Sequence, residues 1–174
     1  MFTKNLQKIE IFDEITNDKI LFEVKHEKKK SILKLSKNDS SIQNFNYKIF
    51  KIEKSIEEEK KEIEISFGFH LNSENQSEPK LHNIYSNSIP IRSYGFPFLI
   101  NSNFILTFNK EDIDQDDKFN KLIKENIINE FLKTLNYFKK QKNLKFDWYN
   151  YIPIEIELTE EFKEISKEII LNLK

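Results

Sequence analysis

Glu62-Ile63-Glu64-Ile65-Ser66-Phe67-Gly68-Phe69 is the stretch from which the fold can be read. Its isoleucines and phenylalanines fall at every second position, so they share one face of an extended chain, as in a half-buried antiparallel strand. Working back from it, Tyr47-Lys48-Ile49-Phe50-Lys51-Ile52, Ser31-Ile32-Leu33-Lys34-Leu35, Ile20-Leu21-Phe22-Glu23-Val24 and Leu6-Gln7-Lys8-Ile9-Glu10-Ile11 read as earlier strands. Turns are expected over 25–30 and 37–44. Ser55-Ile56-Glu57-Glu58 matches a capping box, which predicts a short helical turn over 55–60. Working forward, the polar run over 72–80, with Pro79 near its end, is a surface loop and the best internal boundary.

Beyond that loop come Asn83-Ile84-Tyr85, Ile89-Pro90-Ile91, Phe96-Pro97-Phe98-Leu99-Ile100 and Phe104-Ile105-Leu106-Thr107-Phe108. Pro90 and Pro97 assign their segments to sheet edges or irregular positions, because proline cannot donate to a ladder. The period then changes. Phe119, Leu122, Ile123, Ile127, Phe131, Leu135 and Phe138 recur at spacings of three and four, one continuous stripe on a helix from about Asp117 to about Gln141. Asp114, Asp116 and Asp117 crowd its start, where carboxylates cap free N–H groups, and Lys139, Lys140 and Lys142 suit its end. A second helix is expected after Thr159, with Phe162, Ile165, Ile169 and Leu173 as its apolar stripe. The class is therefore α+β: an antiparallel-rich β part over 1–71, then a part over 81–174 whose sheet is covered by one long and one shorter C-terminal helix, or a single continuous domain of the same order.

Composition narrows the function. The 174 residues carry 28 Lys and Arg against 29 Asp and Glu, so the net charge of -1 creates no long-range field for nucleic acid or an anionic membrane. With no cysteine, disulfides, thiolate metal sites and cysteine nucleophiles are excluded. No apolar run is long enough to span a bilayer, and Met1-Phe2-Thr3-Lys4-Asn5 opens no secretory signal, so a cytoplasmic location is expected, with the nucleus as the alternative.

The familiar catalytic and cofactor signatures are missing. Gly68 and Gly95, the two glycines, lie far apart, whereas loops that cradle phosphates need closely spaced glycines so that backbone N–H groups can approach. His26, His70 and His82 are scattered, without metal-ligand spacing. Asp112, Asp114 and Asp116 open like a calcium-binding loop, but Asp117 stands where its glycine belongs and Ile123 where its bidentate glutamate belongs. No serine sits in a glycine-flanked nucleophile elbow. Tyr47, Phe50, Phe67 and Phe69 could form a base-stacking platform only with basic surroundings, so their alternation marks them as core. The expectation is no enzyme activity of its own, no cofactor and no metal.

One block carries a resemblance. Asn83-Ile84-Tyr85-Ser86-Asn87-Ser88-Ile89-Pro90-Ile91 is followed by Gly95-Phe96-Pro97-Phe98-Leu99-Ile100-Asn101-Ser102-Asn103-Phe104-Ile105-Leu106-Thr107-Phe108-Asn109-Lys110-Glu111-Asp112-Ile113. It is similar to the segment downstream of the ATP-binding domain in sacsin and NO VEIN-type proteins, which belong to the histidine-kinase-like, heat-shock-protein-90-like ATPases. Phe119-Asn120 stands where that group has Trp-Asn, and Trp148-Tyr149-Asn150-Tyr151-Ile152-Pro153 resembles the end of the region. The resemblance implies a middle-domain-like fold and a protein partner, a nucleotide-binding ATPase domain being one candidate.

In the heat-shock-protein-90 family the middle domain supplies a basic residue to the γ-phosphate of ATP held by the preceding domain, usually an arginine. Lys110, between Asn109 and Glu111, occupies that position here. Lysine can place the charge but cannot make the two-pronged contact of a guanidinium. Two functions follow from the resemblance. One is a non-catalytic, chaperone-like or protein-interaction module. The other is an accessory that completes the ATPase site of a separate nucleotide-binding chain through Lys110, assisted by Asn109. Arg92 is a further cation, with nothing in its sequence surroundings to distinguish it.

Overall fold

A computed structural model describes residues 8–13, 18–27, 30–37, 40–56 and 61–173, with side chains described from Tyr47 onward. Among the described residues, eight strands form one mixed sheet in the order β1-β2-β3-β4-β5-β8-β6-β7. β1 (Lys8–Asp13), β2 (Asp18–Glu27), β3 (Lys30–Lys37), β4 (Ser40–Ile56) and β5 (Lys61–Leu71) run as an antiparallel meander. β8 (Leu99–Ser102) lies antiparallel beside β5 and parallel to β6 (Asn83–Ser86), and β6 forms a hairpin with β7 (Ile89–Ser93). The fold is α+β, as the two hydrophobic periods imply. A single sheet joins the strands on either side of the 72–80 loop. Pro90 sits on β7 at the end of the strand order, where a missing N–H costs no ladder bond.

Several sequence expectations need correction. Residues 25–27 and 40–44, read as turns, are strand, because backbone pairing to a long neighbour holds polar residues in a ladder whatever their turn propensity. Ser55 and Ile56 close β4 instead of opening a helical turn, and 57–60 lie outside the described residues. The 104–108 segment is not a strand. It pairs through a single bridge, Leu106 to Ile113, since it turns back on itself instead of reaching the sheet.

α1 (Lys118–Phe138) and α2 (Lys163–Leu171) cover one face of the sheet. Asp117 caps α1, its carboxylate accepting the Asn120 N–H at 3.0 Å, and a 3-10 turn, Glu160–Phe162, leads into α2. Ile63, Ile65, Phe67 and Phe69 of β5 meet Ile123, Ile127, Phe131, Leu135 and Phe138 of α1, all fully or almost fully buried. Phe131 stacks on Phe98 with ring centroids 4.8 Å apart, and Phe69 meets Phe138 edge-on at 4.9 Å. Such ring pairs add about 0.5–1.5 kcal/mol each beyond the apolar area they bury. Phe67 and Phe69 lie in this core and Phe50 packs against it, whereas Tyr47, expected with them, is buried on the other face of the sheet, because it pairs with His70 and not with a phenylalanine of β5. Among the described residues no helix is long and apolar enough to cross a membrane.

The opposite face of β5 is also covered along part of its length. Ser66, Gly68 and His70 are buried there, together with Tyr47, Ile49 and Leu99. Alternation alone does not reveal this second burial. Gly95 is required for a different reason. Its φ is +90°, and a Cβ on it would lie 1.8 Å from the Glu157 carbonyl oxygen. A glycine here lets the chain before β8 pass against the turn ahead of α2.

Candidate functional site

After β8 the chain leaves the sheet and makes a narrow hairpin over 105–113 before entering α1. Its base is closed by two backbone bonds, Thr107 N–H to the Asp112 carbonyl at 2.9 Å and Asp114 N–H to the Ile105 carbonyl at 3.0 Å. The completely buried amide of Asn120 locks it from below. Oδ1 accepts the Ile105 N–H at 2.9 Å, and Nδ2 donates to the carbonyls of Ile105 and Asp114, each at 2.7 Å. This amide satisfies backbone groups that an irregular segment cannot pair with a sheet.

At the far end, Lys110 has a φ of +59° and its N–H closes the turn onto the Thr107 carbonyl at 2.9 Å. A left-handed backbone is unfavourable for a residue with a Cβ, by about 1–2 kcal/mol. Lys110 is nevertheless exposed, and among the described residues no carboxylate lies within ion-pair distance of its ammonium. Asn109 is also exposed, but its amide is engaged within the turn. Its Oδ1 accepts from the Thr107 hydroxyl at 2.7 Å and its Nδ2 donates to Glu111 at 2.8 Å, so both ends of the amide serve the turn. Beside them Phe108 shows its whole ring to solvent, at 105% of reference exposure.

The returning arm is fixed by charge. Asp112 accepts from the Tyr94 hydroxyl, from its own neighbour's N–H at Ile113 (2.8 Å) and from the Arg92 guanidinium at 2.9 Å. Arg92 also reaches Glu161 at 3.0 Å and lies over the Tyr94 ring at 4.4 Å. Arg92 is thus a tie between β7, the hairpin and the turn before α2, not a spare cation. Partial burial works to raise the Asp112 carboxyl, but the bonds from Tyr94, Ile113 and Arg92 outweigh it and hold it below its ordinary range. Burial, followed by the bond to Asp112, pushes the Tyr94 phenol up to about 12.

The remaining residues of the sequence pattern have structural work. Asp112 is held in an ion pair with Arg92, Asp114 accepts the Asp116 N–H at 3.1 Å within a turn, and Asp117, next to the three aspartates that mimic a calcium loop, caps the helix. Among the described residues no three His, Cys, Asp or Glu side chains gather as a metal site requires. Tyr151, fully buried in the 3-10 turn Trp148–Tyr151, donates to the His70 carbonyl and accepts the Glu78 N–H at 3.3 Å. It pins the 72–80 loop to β5.

The block from Gly95 through Asn120 to Tyr151 is therefore a set of residues that shape and brace one hairpin and its surroundings. The chain is similar to Protein NO VEIN of Arabidopsis thaliana. The two are 27% identical over 141 residues, which is 79% of this chain and 5% of that protein. This chain thus corresponds to a small part of its relative's length. No family model matches the chain, and no solved structure matches it. Sequence reasoning placed Lys110 and Asn109 together at a turn, which the structure shows, but it missed Asn120 as the anchor and Arg92 as a tie. Asn120 stood out only as half of the Phe119-Asn120 motif, with nothing to show what its amide holds, and an arginine between serine and isoleucine leaves no signal until its partners, distant in sequence, are known.

Proposed function

We propose that the chain is a non-catalytic module of the sacsin and NO VEIN-type, heat-shock-protein-90-like group, and that it meets a protein partner through the 107–112 tip. The observation that supports this reading is the wholly exposed Phe108 ring on a hairpin locked at its base by Asn120 and Asp112. A large apolar side chain carried on a braced backbone spares the backbone part of the ordering cost on docking, and aromatic anchors of this kind dominate binding energy at interfaces. The non-catalytic part rests on the two isolated glycines, which leave no phosphate-cradling loop. Interaction through a rigid tip is the simplest form of a chaperone-like role.

The test is a photo-crosslinking phenylalanine analogue at position 108, introduced into the chain in cells. One discrete adduct is expected, suppressed by excess unlabelled chain but not by excess Phe108→Ala chain. Suppression by both, or an equal adduct from the same probe at Lys167, would remove the tip from the interface.

A second reading has its own support in the exposed ammonium of Lys110, without an ion pair among the described residues. On that reading Lys110 stabilises negative charge on a phosphoryl group held by a separate nucleotide-binding domain of the same group, as arginine fingers do in trans. Turnover by that domain should fall with Lys110→Ala and recover with Lys110→Arg. Equal rates in all three leave Lys110 a solvated lysine.

A further inference from the structure

On the face of the sheet away from the helices, two imidazoles and a phenol meet between β4, β5 and the segment over 78–82. His70 of β5 is 3% exposed and Tyr47, its partner on β4, is 7% exposed. The His70 ring stands edge-on to Tyr47 at 5.2 Å, and the His82 ring lies 5.7 Å from the same phenol. His70 Nδ1 lies 3.1 Å from the Glu78 carbonyl and 3.1 Å from its carboxylate, while Nε2 lies 3.4 Å from the Lys80 ammonium. Among the described residues these contacts fit the neutral ring. Nδ1 donates to Glu78 and Nε2 accepts from Lys80, so the ring is neutral; a second proton would set an N–H against an ammonium. His82 is placed more severely. Its Nε2 is buried with no hydrogen-bond partner among the described residues, so a charged imidazolium there would have none of them to receive its proton.

We propose that His70 and His82 form a pH-sensitive latch, which holds the 78–82 segment against the sheet while both rings are neutral and releases it when they gain protons. Besides the two rings, the groups that face the latch among the described residues are Tyr47 on β4, Glu78 and Lys80 on the segment itself, and Tyr151, whose hydroxyl bonds the His70 carbonyl and the Glu78 N–H. Tyr85 acts on Tyr47 through charge. Burial pushes the Tyr47 phenol up to about 12, so it stays neutral while the histidines titrate. Burial, then Lys80, holds His70 below the ordinary histidine value, despite the opposing pull of Glu78. Burial, then His70 and Lys80, brings His82 down to about 4.

The released segment binds protons at the ordinary histidine value near 6.5, and the latched one resists them, so the latch weakens as pH falls below about 6.5 and keeps weakening until about 4. For His82 alone the linkage amounts to roughly a 30-fold rise in the open population at pH 5. Release reaches further than the latch. Pro79, Lys80 and Leu81 line a shallow cleft of mixed polarity together with Pro97, Ile152 and Glu157. Proton uptake at the histidines therefore loosens one side of that cleft.

Hydrogen exchange of the whole chain, normalised to intrinsic rates, tests this at pH 7.5 and 5.0. Protection of the 78–82 segment should fall roughly 30-fold relative to α1, and His82→Gln should remove most of the fall. Equal protection at both pH values, or the same fall in His82→Gln, overturns the latch. Because the variant could disturb packing, the wild-type His82 ring is also titrated by NMR. A midpoint near 4 supports the latch, and one above about 6 overturns it.

Discussion

Replacing Asn120 with alanine should unfasten the hairpin that carries Phe108 and Lys110. The amide makes three hydrogen bonds in a fully buried position, one accepted from the Ile105 N–H and two donated to the Ile105 and Asp114 carbonyls. The Ile105 carbonyl keeps the Asp114 N–H at 3.0 Å, so the groups left without these partners are the Ile105 N–H and the Asp114 carbonyl. At about 1–3 kcal/mol for each group left unsatisfied, less about 0.5 kcal/mol returned by the better helix propensity of alanine, the loss is about 3 kcal/mol. Urea denaturation followed by circular dichroism measures it. With a slope of about 2 kcal/mol/M the midpoint should fall by about 1.5 M. Asn120→Asp keeps the acceptor for Ile105 but loses both donors and turns a carboxylate toward two carbonyls, so it should cost at least as much. A loss below about 1 kcal/mol for alanine, or a milder aspartate variant, would show that the amide does not hold the hairpin.

Phe131→Ala removes a fully buried ring stacked on Phe98 and should cost about 3–5 kcal/mol in the same assay; an unchanged midpoint would make α1 peripheral. Gly95→Ala should cost about 3 kcal/mol or more, because a strained backbone at φ +90° is combined with a Cβ driven into the Glu157 carbonyl, and a stable, well-expressed variant would contradict that close approach. The purified chain should show no ATP binding by calorimetry, since its glycines are too far apart to form a phosphate loop; stoichiometric binding at micromolar affinity would overturn the non-catalytic reading.

Periodicity alone was enough to find the strand that organises the sheet and the helix that covers it. Ile63, Ile65, Phe67 and Phe69 alternate, and Ile123, Ile127, Phe131 and Leu135 recur helically, because each set must reach the same buried layer from a different backbone geometry. Pro90 at the edge and Asp117 at the cap were legible for the same kind of local reason, since each depends on what one backbone position can donate or accept. Lys110 and Asn109 were placed at a turn, but the sequence did not show that the exposed Asn109 amide is spent on bonds within that turn.

Tertiary structure decided everything that depends on partners distant in sequence. Asn120 reaches Ile105, Arg92 joins Asp112 to Glu161, and Tyr151 ties Glu78 to His70 across separations that leave no periodic trace. His70 and His82 looked unrelated in the chain; the pairing of β4 with β5 sets His70 beside Tyr47, and the segment ahead of β6 brings His82 to the same phenol. The sequence specifies which residues are apolar and at what spacing, and that determines the layers. Which polar side chain satisfies which backbone group is set only when those layers pack, because a hydrogen bond requires an ångström-scale position that no local pattern contains.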